Sequence, residues 1–133
     1  MPEVQYIKNV TVAKSFNGTS GEISKQLTGM PDHNPDECII RSINWNGDPD
    51  DANLYLIWCN LINDFIGSLC GGNISPHFPQ TRIWLTGPVP NHLEFKMYTM
   101  DPGTDKTVRD DTLVGDMAIT MEFVKYKRTK DHA

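Results

Sequence analysis

The chain has 133 residues, a formal net charge of −5, 38% hydrophobic residues and 22% charged ones. That length holds one domain with a genuine core, and the balance is that of a globular chain, not a disordered one. The acidic surplus disfavours a general binder of phosphate backbones, and three cysteines with no close pair (Cys38, Cys59, Cys70) argue for reduced thiols rather than a disulfide scaffold.

In chain order, the first ten residues show neither a basic nor an apolar leader region, so the expectation is a product that is not secreted. The glycosylation-type triplets at Asn9, Asn17 and Asn73 are accordingly read as chance matches. Gln5 to Ala13 is rich in β-branched residues and reads as a strand. Asn17-Gly18 is a hairpin signal, and Glu22 to Leu27 is a weaker strand. A Pro-bounded loop, Met30 to Pro35, leads into a strand from Glu37 to Trp45. Another loop, Asn46 to Asp51, precedes Leu54 to Cys59, a strand apolar on both faces.

The run Leu54 to Leu69 is the longest apolar stretch, but Asn60, Asn63, Asp64 and Gly67 break it, so no membrane span is expected. Asn60 to Leu69 is the best helical candidate, with room for one or two turns, and it overlaps a weak strand from Phe65 to Cys70. Arg82 to Leu85 reads as a strand, followed by a Pro-rich connector, Gly87 to Asn91. Two segments then alternate cleanly with period two. Leu93, Phe95 and Met97 interleave with Glu94, Lys96 and Tyr98; after the loop Asp101 to Asp105, Met117, Ile119, Met121 and Phe123 interleave with Ala118, Thr120, Glu122 and Val124. About eight short strands with turns between them mean an antiparallel sandwich or barrel, and the strand lengths suit two packed sheets. Trp45, Trp58 and Trp84 all fall inside strands and are expected to supply core area.

Chemistry-bearing patterns are sparse. His33, His77, His92 and His132 lack the spacing of a metal site on a strand or helix. Asp48, Asp50 and Asp51 share one loop, as Ca²⁺ ligands do, but without the pattern of an EF-hand, so no metal or cofactor is assigned. No nucleophile elbow or Gly-rich phosphate loop is present. Cys59 beside Asn60 reads as a buried structural thiol. The expectation is a protein that is not an enzyme. Lys125, Lys127, Arg128 and Lys130 place four of the twelve basic residues within six positions, so a domain over 1–127 is followed by a basic tail over 128–133.

Three stretches, Pro35 to Ile43, Leu54 to Leu69 and Leu113 to Val124, in this order resemble the single jelly-roll penton or minor capsid proteins of virophages, Polinton-like viruses and related double-stranded DNA viruses. The resemblance covers roughly 20–127. It implies an all-β, eight-stranded antiparallel β-sandwich, a single jelly roll of two four-stranded sheets. It further implies a viral structural protein of the virion, made inside the host cell, that associates with copies of itself (a pentamer before a trimer) and with the major capsid protein. Under it, Tyr55, Ile57 and Cys59 on the doubly apolar strand and Lys125, Lys127 and Arg128 at the basic end are the expected interface residues. A β-sandwich module that binds a receptor or a carbohydrate is the alternative. It would expose aromatics such as Trp84 and Tyr98 on a sheet or at loop tips.

Overall fold

The structure is a computed structural model that describes residues 3–47, 54–70, 81–101 and 106–128. Among them there is no helix; the chain forms nine strands, β1 (Val4–Asn17), β2 (Glu22–Gln26), β3 (Glu37–Gly47), β4 (Leu54–Cys59), β5 (Asp64–Cys70), β6 (Thr81–Trp84), β7 (His92–Asp101), β8 (Lys106–Arg109) and β9 (Val114–Tyr126). They make two antiparallel sheets. Sheet A has the order β1-β9-β3-β6; sheet B has the order β2-β7-β4-β5, with β8 added on β7. Apart from the β4–β5 and β7–β8 hairpins, each successive strand lies in the opposite sheet. With β8 set aside, that winding is the order of a jelly roll.

The period-two alternation read from the sequence builds the core. On β9, Met117, Ile119, Met121 and Phe123 are buried at 0–2% exposure, facing Leu93, Phe95 and Met97 of β7 and Ile57 of β4, all at 0%. Val10, Val12 and Phe16 of β1 and Cys38, Ile40, Ile43 and Trp45 of β3 complete sheet A's inner face. Side chains of this size each contribute about 1.5–3 kcal/mol on full burial. At the β3 bulge between Ile40 and Ser42 the register shifts by one residue, which restores Ile43 and Trp45 to the core side. Phe16, Trp45 and Tyr55 stack in tilted contacts (centroids 6.1 and 5.8 Å apart) and close one end of the sandwich.

Three expectations are corrected. Asn17-Gly18 does not make a hairpin: β1 and β2 belong to different sheets, and Gly18, at φ 89°, donates its N–H to the Leu113 carbonyl (2.8 Å). Asn60 to Leu69 is not helical. It is a turn through 60–63, with Asn63 at φ 52°, followed by β5. Asn60 acts there as a rung: its N–H donates to the Glu94 carbonyl, while its side chain donates to the His92 carbonyl and accepts from the Glu94 N–H. The strand absent from the sequence reading is β8, whose Lys106–Arg109 segment has one apolar side chain, Val108, at 61% exposure. Without an apolar alternation it leaves no period-two signal.

β2 and β8 share one edge of β7 end to end. β2 pairs with His92 to Lys96 and β8 with Tyr98 to Asp101. Met97 is the junction: its N–H donates to the Gly21 carbonyl (2.9 Å), and its carbonyl accepts from the Asp110 N–H and from Arg109 Nη1, each at 3.0 Å. Gly21 has no room for a side chain, since a Cβ there would lie 1.9 Å from the Asp110 carbonyl oxygen. Gly21→Ala therefore forces backbone apart at the junction. Urea denaturation is expected to show a loss of about 3 kcal/mol, the upper range for overpacking; an unchanged midpoint would show that the junction yields freely.

Candidate functional site

Asp48, Asp50 and Asp51, the Gly71-Gly72 pair, the Asn73 triplet, His77, Lys130 and His132 lie outside the described residues, as do the sequence readings that rest on them. Among the described residues no group of three His, Cys, Asp or Glu side chains is placed to hold a metal ion, and no helix is long and apolar enough to cross a membrane. Cys38 and Cys59 are free and fully buried in the core. Burial pushes the Cys59 thiol up to about 11 and raises Cys38 as well, with Cys59 and Glu37 nearby adding to the latter. Neither thiol is set up as a nucleophile.

The expected interface residues separate into two groups. Tyr55, Ile57 and Cys59 face inward at 2%, 0% and 0% exposure, so they belong to the core of the single chain and are not available to a neighbour. The pleat gives the other side of β4 to Leu56 and Trp58, both half-buried. At the basic end, Lys125 is partly buried and donates to the Asn34 carbonyl (2.7 Å), Lys127 pairs with Glu3 (3.4 Å) and Arg128 pairs with Asp36 (2.7 Å). These charges are held by the protein's own acids and carbonyls instead of projecting as a loose arm. Asp36 also accepts from the Tyr126 N–H, which extends the β3–β9 pairing past the start of β3.

The tryptophans divide in the same way. Trp45 is core at 4%, Trp58 is half-buried and Trp84 is 65% exposed. Expecting all three in the core was wrong, because strand membership does not say which face a residue takes. Trp84 pairs with Glu37, between the core residues' positions, and so points outward.

Two outward faces result. On sheet B, Trp58 lies between Lys96 of β7 and Phe65 of β5, and Leu56 lies beside Tyr98 in the adjacent row. Phe65 meets Tyr98 edge-on (5.3 Å), Lys96 sits 5.0 Å over Trp58 and Arg109 sits 5.6 Å over Tyr98. Phe65 is 37% exposed. On sheet A, paired rows run across β1, β9 and β3: Thr11–Thr120–Ser42, Ala13–Ala118–Asn44 and Ser15–Asp116–Asn46. The small side chains of the last two rows leave a shallow depression of about 510 Å³. Towards the other end of the same face the rows turn apolar and charged, with Ile7–Val124–Glu37–Trp84 followed by Asn9–Glu122–Ile39–Arg82. Here Glu37, Ile39 and Val124 are buried at 0–4% although they lie opposite the core. The alternation of the sequence places these residues on their face but does not foretell that they are covered.

No protein-family model matches the chain, and no curated protein matches it. Among solved structures, an acetyl xylan esterase (Est2A) from the rumen bacterium Butyrivibrio proteoclasticus is similar at a TM-score of 0.34 and 8% identity. The alignment covers 92% of this chain and 34% of the esterase, so the chain spans about a third of that protein's length. A likeness at that level carries no argument about fold or activity.

Asp110, in the β8–β9 connection, gives this region a pH signature. Burial pushes the Asp110 carboxyl up, but hydrogen bonds from the Thr99 hydroxyl and from the Thr112 hydroxyl and N–H, with the Arg109 charge, outweigh it and hold the group below its ordinary value. A carboxyl lowered on folding stabilises the fold above the unfolded value, about 3.9, and that contribution is lost as the pH falls through the folded value. Melting temperature measured from pH 5 to pH 2 is expected to fall less steeply in Asp110→Asn than in the unmodified protein. Parallel curves would remove Asp110 from the account.

Proposed function

We propose that the chain is a structural subunit of a viral capsid, a penton-type or minor capsid protein of the single jelly-roll kind, which works by subunit–subunit contact and not by catalysis. The observation that carries this reading is the strand order β1-β9-β3-β6 facing β2-β7-β4-β5, the winding expected from the resemblance of the three sequence stretches. A rigid two-layer block of this kind presents its faces and edges at fixed angles, as a ring-forming subunit must. Its outward apolar side chains, Leu56, Trp58 and Phe65 on one face and Ile7 and Trp84 on the other, are the surface it offers to neighbours. The partners in this reading are other copies, with a pentamer favoured, and the major capsid protein. The product is made inside the host cell and resides in the virion.

A second reading is a receptor- or carbohydrate-binding module. It is favoured by the grouping of Trp58, Phe65 and Tyr98 on the outer face of sheet B, since aromatic rings on a sheet are a usual means of engaging sugars and peptides.

Multi-angle light scattering across a hundredfold range of concentration separates the two. The capsid reading predicts mass growing towards a pentamer, with Trp58→Asp or Trp84→Asp lowering it while the melting temperature stays near that of the parent. A strict monomer at every concentration, salt and pH tested counts against the capsid reading. Saturable binding on a glycan array, lost in Tyr98→Ala, would favour the second.

A further inference from the structure

Glu37 is the one charged side chain among the described residues that is fully buried, at 0% exposure, and it is buried on the outer face of sheet A, not in the core. Its Oε1 accepts a hydrogen bond from the Tyr126 hydroxyl and lies 3.6 Å from Arg82 Nη1. Its Oε2 is buried with no hydrogen-bond partner. The hydrogen bond to Glu37 is the main cause that raises the Tyr126 phenol above its ordinary value. Arg41, at the β3 bulge, adds a favourable charge, and its guanidinium pairs with Glu122 at 2.6 Å.

A buried carboxylate is costly unless its oxygens are matched by donors or cations. The cation nearest Glu37 is a poor match: Arg82 stands on a four-residue edge strand, its side chain is 60% exposed and shared with the Tyr126 hydroxyl, and 3.6 Å is too long for a hydrogen bond to Glu37. Around this half-matched carboxylate stand two aromatic rings, Trp84 at 65% exposure and Tyr126, with centroids 6.3 Å apart and planes tilted by 36°. Ile7, 53% exposed, begins the same row. A carboxylate beside two aromatic rings and an apolar border is the chemistry that recognises an organic cation, which gains from the charge and from the rings together.

We propose that Glu37, Trp84 and Tyr126 form a binding site for a guanidinium group, and that Arg82 is the loosely held internal cation which the ligand displaces. A guanidinium presents two parallel N–H donors and so serves both oxygens of Glu37, including the Oε2 that has no donor among the described residues. The site stands independently of the capsid reading. The guanidinium comes either from an arginine of a neighbouring copy or from an arginine on a separate chain.

The test is a titration of the folded protein with N-acetyl-arginine amide, followed by the indole N–H resonance of Trp84, which is assigned from Trp84→Phe. Saturable shifts are expected, and Arg82→Ala should bind about fivefold more tightly, the equivalent of removing one exposed ion pair. Glu37→Gln should abolish the response. Because that variant replaces a buried group, Trp84→Ala, altered only at the surface, serves as an independent check and should weaken binding when the probe is followed by its own resonances. Sedimentation of Arg82→Ala with the probe identifies the donor: dissociation of an oligomer means a neighbouring copy supplies the guanidinium, and saturation at unchanged mass means a separate chain does. Both uphold the site. No saturable response in Arg82→Ala, or equal affinity in the parent and in folded Glu37→Gln, overturns it.

Discussion

The structure depends on β9. This last described strand runs up the middle of sheet A and pairs along nearly its whole length with β1 on one side and β3 on the other. Its inward residues, Met117, Ile119, Met121 and Phe123, form the spine of the core. Its outward residues, Asp116, Ala118, Thr120, Glu122, Val124 and Tyr126, run through every row of the outer face. One period-two pattern thus specifies both the core and the face opposite it, and a slip of one residue would exchange the two. The pairing is also strongly non-local. Val4 meets Tyr126, so sheet A closes only when the two ends of the domain come together, and the loop-closure entropy of that step makes for slow folding.

The division of labour between the faces follows from the same pleat. Tyr55, Ile57 and Cys59 take the inner side of β4 and are spent on cohesion, which leaves the equally apolar Leu56 and Trp58 to meet the outside. On β3 the core takes Cys38, Ile40, Ile43 and Trp45, while Glu37 and Ile39 go to the other side and are covered there by their neighbours' longer side chains. Lys125, Lys127 and Arg128 are likewise paired with Asn34, Glu3 and Asp36, which tie the end of β9 to the loop before β3 and to the start of β1. What remains at the surface is a cation-capped aromatic face on sheet B and a face on sheet A that grades from small and polar to apolar.

Much of the fold was legible in the sequence because its strongest signal, alternation with one apolar face, is a direct consequence of burial. β7 and β9 show it most clearly, and the apolar residues of their alternating faces, at 93, 95 and 97 and at 117, 119, 121 and 123, are all buried at 0–2%. β8 was not legible, because it is held by backbone pairing and by Arg109 and contributes nothing to the core. The Asn17-Gly18 turn misled for a related reason. Its local chemistry fits a hairpin, but burial of Val12, Phe16 and Ile23 between two layers requires the chain to cross from one sheet to the other. The surface was the least legible part. That Leu54 to Cys59 is apolar on both sides can be read directly, but which side is core depends on partners far away in the chain, and the burial of Glu37 depends on Trp84 and Tyr126, 47 and 89 positions downstream.

Residue-resolved amide hydrogen exchange tests most directly whether β9 carries the fold. The amides of Ala118 to Phe123 are expected to exchange only through global unfolding and to be the slowest in the molecule, with those of β2, β6 and β8 opening locally and sooner. Exchange from β9 at the rate of those edge strands, while β4 or β7 stayed protected, would contradict the account and move the keystone to sheet B.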